Sequence, residues 1–279
     1  HIDNFPEEDR VLLQAVARIV IRDVDGSLDQ QLERRRSASL PSRPPMLTSS
    51  TSPPPPSKED DPLPRRDLIF FNGTGGFTQD GREYIVELPP GRHTPAPWVN
   101  VIANSRLGTV VSESGSAYTW YGNAQLYRLT PWSNDPVSDP SGEVLFIRDD
   151  SSGRFFSPTP WPRTGDTAYA CRHGFGYSVF EHREDGLESE LTTYVAVGAP
   201  VKFQRLKIKN LSARSRTVSV LASVDLVLGD LRARRAMHVV TEVDPLTGAI
   251  LARNSFNSEF SETVAFFDCS QSIRSVSGD

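Results

Sequence analysis

Cysteine is scarce in this chain of 279 residues: Cys171 and Cys269 are the only two, and they lie far apart in sequence. Two cysteines cannot build a disulfide framework and neither sits in a zinc-binding spacing, so both are expected to be reduced, structural thiols. Long apolar runs are missing as well. A bilayer span needs about 18 consecutive apolar residues. Ala15 to Ile21 is far shorter, and Arg18 interrupts it. Direct membrane insertion by this chain is therefore not expected, and no secretory signal segment is visible. There is no basic excess either. With 30 basic and 35 acidic side chains the formal charge is −5, which argues against nucleic acid as a partner. The short catalytic signatures, HExxH, CxxC and a Ser-His-Asp arrangement, are absent too. The chain begins at His1 rather than Met and stops at Gly278-Asp279, soon after a strand-like run, so both ends are expected to be cuts in a longer protein.

Three stretches of different composition are present. Residues 1–36 read as a helical connecting segment. Pro6-Glu7-Glu8-Asp9 puts acidic side chains in a helix's first turn, where they complement its dipole. Leu12, Leu13, Val16, Ile19 and Val20 recur at helical spacing. Asp25-Gly26-Ser27 breaks the run, and Leu28 to Arg35 forms a second short helix. Residues 37–66 include Thr48-Ser49-Ser50-Thr51-Ser52 followed by Pro53-Pro54-Pro55-Pro56. This stretch has too little apolar surface to offset the entropy of ordering, and it reads as a disordered or polyproline linker.

Residues 67–279 have the texture of antiparallel β structure. Gln79-Asp80-Gly81 between Phe77-Thr78 and Tyr84-Ile85-Val86 is a hairpin signal. Glu184-Asp185-Gly186 separates Tyr177–His182 from Leu187–Val197 in the same way. Val201 to Lys209 alternates apolar and polar, and Arg216 to Leu228 follows after Asn210-Leu211-Ser212. His238–Val243, Ala249–Arg253 and Thr263–Phe267 continue the series. About ten or more strands are expected, with hardly any helical period. The fold class is all-β: a large antiparallel sandwich around one core, each sheet keeping one wet face, preceded by a short helical segment.

Three clusters hold candidate chemistry. Asn72-Gly73-Thr74-Gly75-Gly76 is rich enough in glycine to cradle a phosphate. A strand rather than a helix follows it, however, and a Gly-Lys-Ser/Thr ending is missing, so a tight turn or bulge fits better. Leu129 to Pro140 is a proline-stiffened loop. In it Trp132 offers a flat face to the C–H surface of a sugar, and Asn134 and Asp135 offer an amide and a carboxylate to its hydroxyls. A packing anchor on a surface loop is the plain alternative for Trp132. In Arg172-His173-Gly174-Phe175-Gly176-Tyr177, Arg172 and His173 suit an anion and the glycines permit close backbone approach. A structural hydrogen-bonding role is the alternative for His173. No glycosidase carboxylate pair stands out, because Asp149-Asp150, Glu181 and Asp185 all read as turns or strand ends.

The run Thr94-Pro95-Ala96-Pro97-Trp98-Val99-Asn100-Val101-Ile102-Ala103-Asn104 is distinctive. Val111 to Trp120, Asn123, Arg128 to Pro136, Arg172 to Tyr177, Val239-Val240-Thr241-Glu242 and Leu251-Ala252-Arg253-Asn254 follow it. In this order they resemble the glycoside hydrolase family 94 region of cyclic β-1,2-glucan synthases and, more weakly, cellobiose and related disaccharide phosphorylases. The similarity runs roughly from Leu68 to Phe267. The resemblance implies a super-sandwich followed, beyond this chain, by linker helices and a catalytic (α/α)₆ barrel in the same polypeptide. It implies inverting phosphorolysis of a β-glucosidic bond, with a barrel Asp as general acid, inorganic phosphate as co-substrate and no cofactor. In the synthases it implies a region that shortens linear β-1,2-glucan and so controls ring size, on the cytoplasmic side of the bacterial inner membrane. A separate membrane-embedded region makes the polymer. This chain is then expected to hold no catalytic residue, to be inactive alone, and to supply scaffold, homodimer contacts and substrate-covering loops. Ser157-Pro158-Thr159-Pro160-Trp161-Pro162-Arg163 matches a loop that overhangs a neighbouring subunit's site in the phosphorylases. Trp161 replaces the residue expected there in cellobiose phosphorylases, which favours stacking on a glucan chain over contact with phosphate. The candidate β-glucan contacts are thus Trp132, Asn134, Asp135, Trp161, Arg172 and His173. A stand-alone carbohydrate-binding sandwich and a structural dimerisation module are the alternatives.

Overall fold

A computed structural model of the chain describes residues 66–133, 135, 137, 140–271 and 275–278, together with 6, 21, 23–32, 63 and 64. The helix expected after Pro6, most of the linker and Asn134 lie outside the described residues. The chain divides into two units, His1–Ser52 and Pro53–Asp279. In the first, a 3₁₀ turn spans Asp23–Asp25 and residues 28–32 are helical. Ser27 caps that helix reciprocally: its N–H donates to Gln30 Oε1 (3.1 Å), and the Gln30 N–H donates to Ser27 Oγ (3.4 Å). That is a capping box, and it agrees with a helix starting at Leu28.

The second unit is built from antiparallel strands. In chain order they are β1 (Gly75–Phe77), β2 (Glu83–Leu88), β3 (Val99–Ala103), β4 (Leu107–Ser112) and β5 (Ala117–Tyr121). Then come β6 (Glu143–Asp149), β7 (Phe155–Phe156), β8 (Tyr169–Gly174), β9 (Tyr177–Glu184) and β10 (Leu187–Val195). The last are β11 (Lys202–Asn210), β12 (Val218–Val224), β13 (Val240–Val243), β14 (Ile250–Arg253) and β15 (Val264–Phe267). One helical turn, α1 (Arg232–Arg235), precedes β13. Six strands form the main sheet in the order β1-β2-β8-β9-β10-β11. Three smaller sheets are β3-β4-β5, β12-β6-β7 and β13-β14-β15.

Turn chemistry sets the register. Asp185 and Gly186 both have positive φ (53° and 72°), the two-residue hairpin turn whose twist matches its strands. It places Leu187 directly opposite Glu184. From there the period of two runs on: Leu187, Ser189, Leu191, Thr193 and Val195 are buried, and the residues between them are half-exposed. Val86, Cys171, Phe180 and Leu191 thereby line up across four strands. They pack against Ile102, Leu107 and Val111 of β3 and β4 to make the main core. Each such side chain is worth about 1.5–3 kcal/mol when fully buried. A second cluster joins Ile147, Phe156 and Leu187, and a third joins Tyr127, Leu228, Ala252 and Ala265. Both cysteines are free thiols, Cys171 buried and Cys269 exposed.

One ion pair ties three sheets together inside this packing. Lys202 Nζ of β11 donates to Glu143 Oε2 of β6 at 2.5 Å, and to Thr109 Oγ1 of β4 at 3.0 Å. Glu143 Oε1 accepts the hydroxyls of Thr119 (2.6 Å) and Thr130 (2.8 Å). Both charged side chains are over 90% buried. Burial would raise the Glu143 carboxyl, but Lys202 and the two hydroxyls outweigh it and hold the group below its usual range. Tyr127 is the opposite case. It is fully buried and stacked on Phe260 (4.4 Å), and its hydroxyl has no hydrogen-bond partner among the described residues. Burial, and then Tyr121, push its pKa up to about 12.

Glu143→Gln leaves a buried ammonium without its counter-charge and should cost about 3–5 kcal/mol in urea unfolding, whereas the double substitution Glu143→Leu with Lys202→Met, which removes both charges, should cost much less. Tyr127→Phe removes a buried donor that has nothing to bind, so it should be neutral or raise stability by about 1 kcal/mol; a clear loss would show that the hydroxyl has a role. A third outcome concerns pH. Glu143, Asp149 and Glu184 all have folded-state values below their ordinary 3.8–4.5. Their stabilisation is complete above that range and drains away as pH falls through the depressed values. Thermal midpoints should therefore be flat near neutrality and drop steeply below about pH 4.5.

Candidate functional site

The fold sends Arg172 and His173 to opposite faces of the main sheet. Arg172 lies on the outer face and is already occupied. Its Nη1 donates to both oxygens of Glu83 (3.1 and 3.0 Å). Its Nε lies 3.1 Å from Glu181 Oε1, off the hydrogen-bond direction. Arg66 pairs with the other oxygen of Glu181, and the Tyr177 hydroxyl donates to Glu83 (2.6 Å). Two arginines and two carboxylates thus neutralise one another. Glu181 sits within β9, opposite Glu190, and not at a strand end as the turn chemistry had indicated. Strand alternation carries it into the middle of the charged face.

His173 faces inward, next to Trp98. Its Nε2 lies 3.1 Å from the Trp98 carbonyl and its Nδ1 lies 2.8 Å from Ser178 Oγ. A carbonyl only accepts, so Nε2 carries the proton and Nδ1 accepts from the serine. Burial lowers the imidazole pKa, which the Trp98 carbonyl only partly offsets. Both ring nitrogens are committed, Nε2 to holding the Trp98 segment against β8 and Nδ1 to Ser178 of β9.

Trp132 belongs to an aromatic group on the outer face of the β3-β4-β5 sheet. It stacks on Tyr118 (5.4 Å between centroids), Tyr118 neighbours Trp120 (5.4 Å), and the Arg128 guanidinium lies 5.4 Å over the Trp132 ring. Gly108, directly opposite Trp120, makes this geometry possible. A Cβ there would fall inside the indole, so the ring lies flat on β4 and turns its other face outward. Trp132 is 45% exposed. The Asp135 carboxylate accepts the Val137 N–H (3.0 Å), which shapes the loop beyond it.

Trp161 sits on a different loop. Ser157 to Pro160 are buried rather than overhanging, and only Trp161 to Thr164 reach outward. The Trp161 N–H donates to the Ser114 carbonyl (2.8 Å), and Thr159 Oγ1 donates to the Trp161 carbonyl (2.7 Å). The far end of the loop is pinned by a buried pair: His182 Nε2 lies 3.0 Å from Glu184 Oε2, which also accepts the Asp166 N–H (2.9 Å). Trp132 and Trp161 are thus anchored separately on the β4–β5 hairpin, and Arg172 and His173 belong to other surroundings.

Two asparagines escaped the sequence reading. Asn100 Nδ2 donates to the carbonyls of Gly174 (3.0 Å) and Tyr177 (2.9 Å) and so holds the β8–β9 hairpin. Asn104 Nδ2 donates to the carbonyls of Ala196 (2.7 Å) and Ala199 (2.8 Å) and so holds the link after β10. A signal was available: asparagine is poor in strands, and two of them stand four residues apart on β3 and its turn. Among the described residues, no group of three or more His, Cys, Asp or Glu side chains could hold a metal ion. No helix among them is long and apolar enough to cross a membrane.

The described residues therefore define a rigid β-sandwich with aromatic surfaces and internally neutralised charge. Residues 82–279 match the family model described as glycosyl hydrolase 94, supersandwich domain, and the chain belongs to that family. It is 41% identical over 202 residues to the cyclic β-(1,2)-glucan synthase NdvB of Rhizobium meliloti (strain 1021), covering 72% of this chain and 7% of that protein. It is 30% identical over 167 residues to an N,N′-diacetylchitobiose phosphorylase of Vibrio proteolyticus, and 31% identical over 160 residues to a solabiose phosphorylase of Paenibacillus borealis. Those matches cover 59% and 56% of this chain and 20% of each phosphorylase. The chain thus spans a fifth or less of the curated relatives it matches.

Gly108→Ala should lift the Trp120 indole off the sheet. The expected result is a stability loss of about 1–3 kcal/mol with a red-shifted tryptophan emission; an unchanged spectrum and midpoint would mean the ring does not rest on that glycine.

Proposed function

We propose that this sandwich is the N-terminal module of a phosphorylase-like enzyme that shortens linear β-1,2-glucan and so controls chain length in cyclic glucan synthesis. The observation that carries the reading is the 41% identity to a cyclic β-(1,2)-glucan synthase together with the supersandwich match. The phosphorylase relatives support cleavage by inorganic phosphate with inversion, through an acid supplied by a barrel in the same full-length protein, without a further cofactor. On this reading the protein works on the cytoplasmic side of the bacterial inner membrane. The module supplies scaffold and glucan contacts. Trp132, with Asn134 and Asp135 on its loop, and Trp161 present aromatic and polar groups to the chain. Arg172 and His173 hold the surfaces behind them in place.

A second role has its own support. Val99 and Val101 are exposed on the outer face of the β3-β4-β5 sheet, Val101 to 61%. An apolar outer face suits contact between subunits, so the module also contributes to a homodimer. Sedimentation that shows a monomer at every concentration would remove this role.

The chain joined to its barrel should release glucose 1-phosphate from linear β-1,2-glucan and phosphate, and the chain alone should release none. Trp132→Ala or Trp161→Ala in the joined protein should raise KM about tenfold, the loss of one stacked ring. A joined protein that is folded yet inert toward every β-glucan would overturn the phosphorylase reading.

A further inference from the structure

The strand register places three aromatic residues in line on the outer face of the main sheet. Tyr177 of β9 is directly opposite Tyr194 of β10, and Tyr194 is directly opposite Phe203 of β11. Neighbouring strands lie about 4.8 Å apart, which brings the Tyr194 and Phe203 rings together. Tyr194 and Phe203 are 5.2 Å apart and nearly parallel (20°). Tyr177 lies across Gly174, where a Cβ would collide with its ring, and its hydroxyl is tied to Glu83. Phe203 is 44% exposed, and Phe175, at the tip of the β8–β9 hairpin, is 84% exposed.

Beside the Tyr194–Phe203 pair is an open depression of about 660 Å³, walled by the β8–β9 hairpin on one side and the end of β10 on the other. The Asn100 and Asn104 amides fix both walls to β3 and its turn, so the shape exists before any ligand arrives. None of its lining residues is charged, although the outer face next to it is a lattice of arginines, lysines and glutamates. Three hydroxyls in the lining, of Ser105, Thr192 and Tyr194, have no hydrogen-bond partner among the described residues.

We infer that this groove binds a neutral oligosaccharide, a segment of β-linked glucan lying in the depression between Tyr177 and Tyr194. The aromatic rings of the lining match the C–H faces of sugar units, and free hydroxyls match their hydroxyls. The absence of charge in the lining disfavours phosphate, nucleic acid and acidic peptides. The walls, already held, lose little entropy when the sugar binds. The choice of glucan rests on the proposed function, but the groove is separate from Trp132 and Trp161 and would hold the polymer at a distance from where it is cut.

The test is titration of the 279-residue chain with linear β-1,2-glucan oligosaccharides, with β-1,4-linked oligosaccharides in parallel, followed by NMR shifts and calorimetry. Binding should perturb the amides of 174–177 and 192–197. Phe175→Ala and Tyr194→Ala should each weaken it about tenfold, while Leu246→Ala, on the β13–β14 turn, leaves it unchanged. Phe175 is almost fully exposed, so its variant should keep the wild-type unfolding midpoint. Saturable binding of β-1,4 chains alone would keep the groove and remove the β-1,2-glucan assignment. Binding in the groove by a chain whose barrel-joined form fails to phosphorolyse glucan would likewise uphold the groove and sink only the enzymatic reading. No binding at millimolar sugar, or binding untouched by both substitutions, overturns the inference. So does a Phe175→Ala variant that changes only the oligomeric state, because the groove would then be a protein interface.

Discussion

The Glu143–Lys202 pair is the point at which two of the smaller sheets, β3-β4-β5 and β12-β6-β7, are fixed to the main one. Apolar packing alone is non-directional, and sheets that meet only through aliphatic side chains can slide relative to one another. Here an ammonium on β11 must meet a carboxylate on β6 and a hydroxyl on β4, and that carboxylate must also meet hydroxyls from β5 and from Thr130 just beyond it. A shift of one residue in any of these strands would turn one partner to the wrong face and leave a charge buried alone. The pair therefore specifies position more than it adds stability. The core residues from Val86 to Val195 pack in the one arrangement it permits.

Given that arrangement, polar groups divide into two kinds. One kind is consumed by the fold. Arg172 and Glu83, His173 and Ser178, and Asp149 with Arg216 each satisfy one another, so they hold strands and turns rather than substrates. The other kind remains available and gathers on surfaces rich in aromatic rings. Both aromatic surfaces use the same device. A glycine on one strand, Gly108 or Gly174, clears space for a ring from the strand beside it, Trp120 or Tyr177, so that the ring lies flat and shows a face. A flat ring on a rigid sheet suits a ligand whose own faces are flat and uncharged, and it offers nothing for the transfer of a proton.

The hairpins were legible because their turns carry the information locally. Asp80-Gly81 and Asp185-Gly186 signal tight turns, and positive φ is found at Gly81, Asp185 and Gly186. The alternation after Gly186 states which face is buried. The strand at Glu181 was placed correctly, but its role was misread, because a carboxylate near a turn and a carboxylate in a charged sheet face have the same local sequence. Ser157 to Pro160 had the composition of a surface loop, and their burial comes from contacts distant in sequence: Ser157 bonds to Leu145 and Tyr169, and Thr159 packs on Gly115.

By itself, then, the sequence determined the all-β class, the positions of most turns, the inward and outward faces of the longest strands, and the order of motifs that places the chain in its family. These are properties of neighbours in the chain, set by backbone preference and a period of two. The tertiary structure alone decided which outward residues meet. Tyr194 stacks on Phe203, Glu143 finds Lys202, and Arg172 is removed from the pool of ligand-binding groups by Glu83. Each depends on register between strands distant in sequence, and register is fixed by the sum of the packing rather than by any segment of it.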